Sequence, residues 1–130
     1  MDIAVTIEAR NYAELSGIMV ALGKFKKKWD IQSIHDTMKV IKFVCDYSDI
    51  YTVLKLPFKS YNARRSGYHS KEHFIDCQIR DEHNNITYES HSDGYYEDNT
   101  YSAESNHKLI KKITHYPDGR EETEVFYPYK

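Results

Sequence analysis

The sequence predicts an α+β fold: a mostly antiparallel sheet with two helices packed on one face, in the order β-α-β-β-α followed by two β-hairpins. Three observations predict it. Apolar residues alternate at two places in the first fifty positions. Two other segments carry apolar residues at helical spacing. The second half holds turn-forming residues between short runs of period two.

Residues 2–8 form the first expected strand, with Ile3, Val5 and Ile7 on one face and Asp2, Ala4, Thr6 and Glu8 on the other. Asn11 reads as a helix N-cap with Glu14 at N3, as in a capping box. Leu15, Ile18, Met19 and Leu22 make one helical stripe, and Gly23 is the expected C′ residue. Trp29 and Ile31 open a short second strand, and His35-Asp36-Thr37 turns the chain back. Residues 38–47 are the densest apolar run. Ile41, Phe43, Cys45 and Tyr47 alternate onto one face, which predicts the central strand of the sheet. Ser48 caps a second helix with Ile50, Val53 and Leu54 on one face, ended by Pro57.

The second half is more polar. Residues 59–72 show no apolar period and read as a long polar loop, as do residues 92–106. Between them, Phe74 to Arg80 is a strand with Ile75, Cys77 and Ile79 inward. Residues 81–85 turn the chain into a return strand that begins at Ile86. The final hairpin runs from Lys108 to Tyr116, turns at Pro117-Asp118-Gly119, and returns with Thr123, Val125 and Tyr127 on its buried face.

At 130 residues the natural reading is a single domain, 1–130, long enough for one core without disulfides or metal. No apolar run reaches the length of a membrane span, and the acidic N-terminus has no signal-peptide layout, so a cytoplasmic protein with no membrane partner is expected. Cys45 and Cys77 fall on the apolar faces of strands and read as two buried thiols, with a single disulfide as the alternative that geometry decides. The net charge of −2 hides a division. Residues 1–80 carry 13 Lys/Arg against 9 Asp/Glu, and residues 81–130 carry 5 against 11. Such a split favours directed association with a partner or with a second copy of the chain.

Catalytic motifs fail on their context. His69-Ser70-Lys71-Glu72-His73 has the H-x-x-E-H form of zinc proteases, but that chemistry needs both histidines on one helix face and a third ligand. No helical stripe surrounds it. His35-Asp36-Thr37 lacks the second H-x-T that a two-histidine phosphoesterase requires. No nucleotide-binding glycine pattern is present. The sequence therefore assigns no catalytic residue, no metal ligand and no cofactor, and leans away from an enzyme.

Two binding inventories remain. Basic residues lie beside aromatics at Lys26, Lys27, Lys28 and Trp29, and again at Arg64, Arg65 and Tyr68. This is the combination used on single-stranded nucleic acid. The competing reading buries Trp29 in the core and leaves the lysines solvated at a helix end. Arg64, Arg65, Tyr68, His69 and His73 also suit the phosphate of a nucleotide or other small ligand. The acidic half is rich in tyrosine, a residue favoured at interfaces for its apolar ring and polar tip. Tyr95, Tyr96, Tyr101, Glu121, Glu122, Glu124 and Tyr127 are the candidates there for contact with another protein's basic surface. The leading expectation is a small binding protein, a protein–protein interaction module or inhibitor. The analogy with small accessory proteins of phages and mobile elements is one of size and style only. The alternatives are a nucleic-acid binder and a protein that sequesters a phosphorylated ligand.

Overall fold

The computed structural model describes residues 2–25, 29–65, 73–103 and 107–126. The strands are β1 (Asp2–Glu8), β2 (Asp30–His35), β3 (Val40–Asp46), β4 (Ser60–Arg65), β5 (Ile75–Arg80), β6 (Ile86–His91), β7 (Tyr96–Tyr101), β8 (Leu109–His115) and β9 (Glu121–Val125). Helix α1 spans Tyr12–Phe25 and α2 spans Ile50–Val53, the latter entered through one 3₁₀ turn. All nine strands join one antiparallel sheet in the order β2-β3-β1-β4-β5-β6-β7-β8-β9. The α+β class and the predominance of antiparallel sheet are as the sequence predicts, while the detailed order differs. Among the described residues, no helix is long and apolar enough to cross a membrane.

The core lies on one face of β3, β1 and β4, while the edge strand β2 is exposed along its length. Directly opposite residues share a face, and Ile3, Val5 and Ile7 stand opposite Cys45, Phe43 and Ile41. On the other side Val5 and Ile7 meet Ala63 and Tyr61. Leu15, Ile18 and Leu22 of α1 and Ile50 and Val53 of α2 close over this face, all buried in one cluster. Asn11 caps α1 as expected, its side-chain oxygen accepting the Glu14 N–H at 2.9 Å. Glu14 turns back to the Arg10 N–H rather than that of Asn11.

Several expectations are corrected. Residues 38–47 supply β3, but it is the second strand of the sheet, not its centre, because β1 inserts between β3 and β4. Met19 is 41% exposed, since the helix stripe narrows to Leu15, Ile18 and Leu22. Gly23 does not end α1, which continues to Phe25. The stretch expected to be a loop at 59–72 is strand β4 over 60–65, where Tyr61 and Ala63 alternate into the core. The one expected at 92–106 contains β7. The two expected hairpins are thus parts of a five-strand meander, β5 to β9.

The face of β5 is also the reverse of the expected one. Gln78 and Arg80 are buried while Ile79 is 41% exposed. Tyr61 stands opposite Gln78, so the covered face of β4 runs on into the polar side of β5. Arg80 accounts for this. Its guanidinium donates to the carbonyls of Leu56, at 2.8 Å, and Leu54, which lie unpaired beyond the end of α2, and it stacks over Phe58 at 3.8 Å. Burial pulls its pKa down to about 10, with Arg10 nearby adding to the effect. At the far end, β9 is exposed along its whole length as the last strand of the sheet among the described residues; Thr123 and Val125 are not buried, and Tyr127 lies outside those residues.

Candidate functional site

Among the described residues, no helix covers the meander beyond β5, and none of its apolar residues reaches full burial. Its two faces carry different chemistry. On the helix side, polar groups link from strand to strand. Arg80 Nε donates to Gln78 Oε1 at 2.8 Å, and Gln78 Nε2 donates to Glu89 Oε2 at 2.9 Å. Glu89 stands opposite Glu97 in the β6–β7 register. Glu97 Oε2 pairs with Lys112 Nζ at 3.0 Å, which raises the lysine pKa through that hydrogen bond.

His91 sits in the middle of this network and is only 7% exposed. Its Nε2 lies 3.2 Å from Glu89 Oε1 and 3.4 Å from Glu97 Oε1, yet it makes no hydrogen bond. Its Nδ1 is 2.9 Å from His73 Nε2. Tyr95 stacks on the imidazole with ring centroids 4.0 Å apart. Burial pushes the Tyr95 hydroxyl pKa up, and the Glu97 charge adds to it.

The turn between β6 and β7 fixes this arrangement. His91 N–H donates to the Tyr95 carbonyl and Gly94 N–H to the His91 carbonyl, each at 2.9 Å. Gly94 has φ +105, and a Cβ there would meet Pro117 Cγ at 2.9 Å, so only glycine fits without strain. Ser92 Oγ accepts the Phe74 N–H at 3.0 Å, anchoring the turn to the core.

The opposite face is open across the sheet. On the meander it carries Tyr88 and Tyr96, with ring centroids 5.7 Å apart, and His115 stacked on Tyr96 at 4.4 Å. His115 Nε2 meets Asp98 and its Nδ1 meets Glu121, both at 3.0 Å. On the first strands the same side forms a shallow groove of about 600 Å³ lined by Thr6, Gln32, Lys42, Asn62 and Arg64.

The structure places the residues singled out from sequence as follows. Tyr95, Glu122 and Glu124 lie on the helix side of the meander, while Tyr96 and Glu121 lie on the open side. The Tyr101 hydroxyl donates to the Ile86 carbonyl at 2.8 Å. Trp29 is corrected from a base-stacking candidate to a core residue. It is 2% exposed, stacks on Phe43 at 5.3 Å, and donates to Asp49 at 3.1 Å. Arg64 is exposed on the open face, whereas Arg65 alternates to the other side and lies over Phe74 at 5.0 Å. His73 is on the helix side with His91, so Arg64 and His73 do not converge. Lys26, Lys27, Lys28, Tyr68, His69 and Glu72 lie outside the described residues.

Cys45 is buried, and burial with Asp49 and Asp46 nearby pushes its thiol pKa up to about 12. Both cysteines are free. The grouping of Glu89, His91 and Glu97 was not assigned from sequence. Its signal is Glu-x-His on a strand, which puts both side chains on one face, followed by a turn about Asp93 that sets Glu97 opposite Glu89. No family model matches the chain, and no curated protein or solved structure matches it either.

Proposed function

We propose that this chain is a binding protein whose meander, β6 to β9, docks a protein with a basic surface. The observation that carries the reading is a sheet that continues for four strands past its own hydrophobic core, displaying half-exposed tyrosines among carboxylates. Strands kept without core burial need another use for their apolar area, and exposed aromatic surface is typical of docking sites. Charge gives the partner's sign. Glu121, Glu122 and Glu124 are exposed on the outermost strand, and Asp98 is exposed beside Tyr96. An acidic rim around tyrosines steers a basic partner by electrostatics.

The test uses the full chain, a triple variant with Glu121, Glu122 and Glu124 changed to Lys, and the single variant Tyr96→Ala. Each serves as bait in nuclease-treated lysate, with captured proteins identified by mass spectrometry and then purified for titration. The reading expects a basic protein that binds the wild-type chain, binds the triple variant at least about tenfold more weakly, and loses affinity with salt. All three glutamates are exposed, but Glu121 meets His115 and Glu122 accepts from the Tyr116 hydroxyl, so thermal unfolding of the triple variant is measured beside the titration and should show a cooperative transition. A partner that binds the triple variant and Tyr96→Ala as well as wild type would remove the meander from the interface.

A second reading is favoured by the groove on the open face, where Lys42 and Arg64 flank Thr6 and Asn62. Nucleic acid or a phosphorylated ligand would use those cations. That reading expects salt-dependent binding of single-stranded DNA or RNA that falls in the Lys42→Glu and Arg64→Glu variants.

A further inference from the structure

We propose that Glu89, His91 and Glu97 form a binding site for a divalent transition metal of the zinc class, clamping β6 to β7. The donor atoms are Glu89 Oε1, His91 Nε2 and Glu97 Oε1. A tetrahedral ion with bonds of about 2.0–2.1 Å holds its ligand atoms about 3.3–3.4 Å apart. The two nitrogen–oxygen separations are 3.2 and 3.4 Å. The three residues' ligand atoms all lie within 4.8 Å of one another, so the third edge needs at most a carboxylate rotation to close.

The orphaned nitrogen is the second, independent observation. His91 Nε2 is buried with two carboxylate oxygens at hydrogen-bond distance, yet neither lies where it could accept a hydrogen bond from the ring. An imidazolium held by two carboxylates would point its N–H at one of them. Oxygens set off the ring axis are where neighbouring ligands of a shared ion sit. A buried nitrogen whose two carboxylate neighbours both miss its hydrogen-bond direction is poorly satisfied, and an ion supplies the missing bond.

The surroundings are those of a supported metal site. Each carboxylate has one oxygen tied back, Glu89 Oε2 by Gln78 and Glu97 Oε2 by Lys112, which leaves the other oxygen for the ion. The pairing of Nδ1 with His73 orients the imidazole, as outer-shell partners of metal-bound histidines do. One nitrogen and two oxygens match zinc or a similar first-row ion better than calcium, which takes six to eight oxygens. The remaining position is left for water. The site is independent of the docking reading, since it requires no partner protein.

The experiment is a titration of the metal-stripped full chain with zinc alone against a chromophoric chelator. It is repeated with cobalt(II) for its visible absorption and with thermal unfolding in each state. The variants are E89Q/E97Q, H91Q, Gln78→Leu and the surface control H83N/H107N. The proposal expects about one zinc ion per chain and a tetrahedral cobalt spectrum. It also expects a zinc-dependent rise in Tm for wild type and the surface control. Affinity falls at least about a hundredfold in E89Q/E97Q and H91Q, and at least about tenfold in Gln78→Leu through the outer shell. A wild-type chain that takes up no zinc overturns the proposal, whether or not the variants fold. So does zinc bound equally by wild type and a folded E89Q/E97Q, or zinc lost only in H83N/H107N, which is adventitious surface binding.

Discussion

The two halves of the sheet solve the same problem by different means. In the first, β1, β3 and β4 bury Ile3, Val5, Ile7, Phe43 and Tyr61 beneath two helices, and stability comes from apolar area removed from water. In the second, no helix covers β6 to β9 among the described residues, and the strands are joined by backbone pairing and by two sets of polar contacts, Arg80 to Gln78 to Glu89 and Glu97 to Lys112, whose two carboxylates face each other beside His91. Burial is non-directional and tolerates change of surface residues. A polar network has to be satisfied at every member, and it leaves the outer faces free to meet something else. The difference therefore separates the part that holds the fold from the part that the proposed docking would use.

Core substitution sharpens that contrast most. Phe43→Ala empties a site that packs against Trp29 and should cost about 3–5 kcal/mol in chemical denaturation. Ile113→Ala, in a half-exposed strand of the meander, should cost about 1 kcal/mol. Equal costs would erase the distinction.

Arg80 is the joint between the halves. Arg80→Leu strands the carbonyls of Leu54 and Leu56 and the amide oxygen of Gln78, and should cost about 2–4 kcal/mol. Trp29 is the one tryptophan and sits in the helix-covered half. In the variant its fluorescence should report a transition later than that seen by far-ultraviolet dichroism, because the meander loosens first. Coincident transitions would show that Arg80 does not couple the two regions.

The smallest effect is in acid. Hydrogen bonds from the Ser48 hydroxyl and amide hold the Asp46 carboxyl down at about 2, against an ordinary 3.8. A carboxyl depressed in the folded state stabilises above its unfolded value and ceases to do so as pH falls through its folded value. The stability difference between wild type and Asp46→Asn should therefore be constant above 3.8 and shrink between 3.8 and about 2. A difference that grows on acidification would contradict the assignment.

The sequence makes local signals legible and non-local ones opaque. Strand β1, the body of α1 and the Pro117-Asp118-Gly119 turn could be read because period, cap and turn chemistry lie within a few residues. Strand β4 could not, since only Tyr61 and Ala63 of Ser60–Arg65 are apolar on the covered face. Its pairing with β1 across more than fifty residues makes it a strand. Strand β7 is hidden for another reason. Neither of its faces meets a hydrophobic layer, so Tyr96–Tyr101 carries no apolar alternation to detect. The reversed face of β5 follows from Arg80, whose burial depends on the Leu54 and Leu56 carbonyls just beyond α2, far away in the chain. The acidic, tyrosine-rich character of the second half is legible from composition alone. The convergence of Glu89, His91 and Glu97 within it needed the β6–β7 register.

Hydrogen exchange, followed strand by strand in the isolated full chain, distinguishes the two halves in one experiment. Amides of β1, β3 and β4 should exchange only through global unfolding, while those of β8 and β9 should exchange through local opening at least about 2 kcal/mol below it. Uniform protection from β1 to β9 would contradict that division: the meander would then belong to the same cooperative unit as the core, and its uncovered faces would not mark a separate region kept for binding.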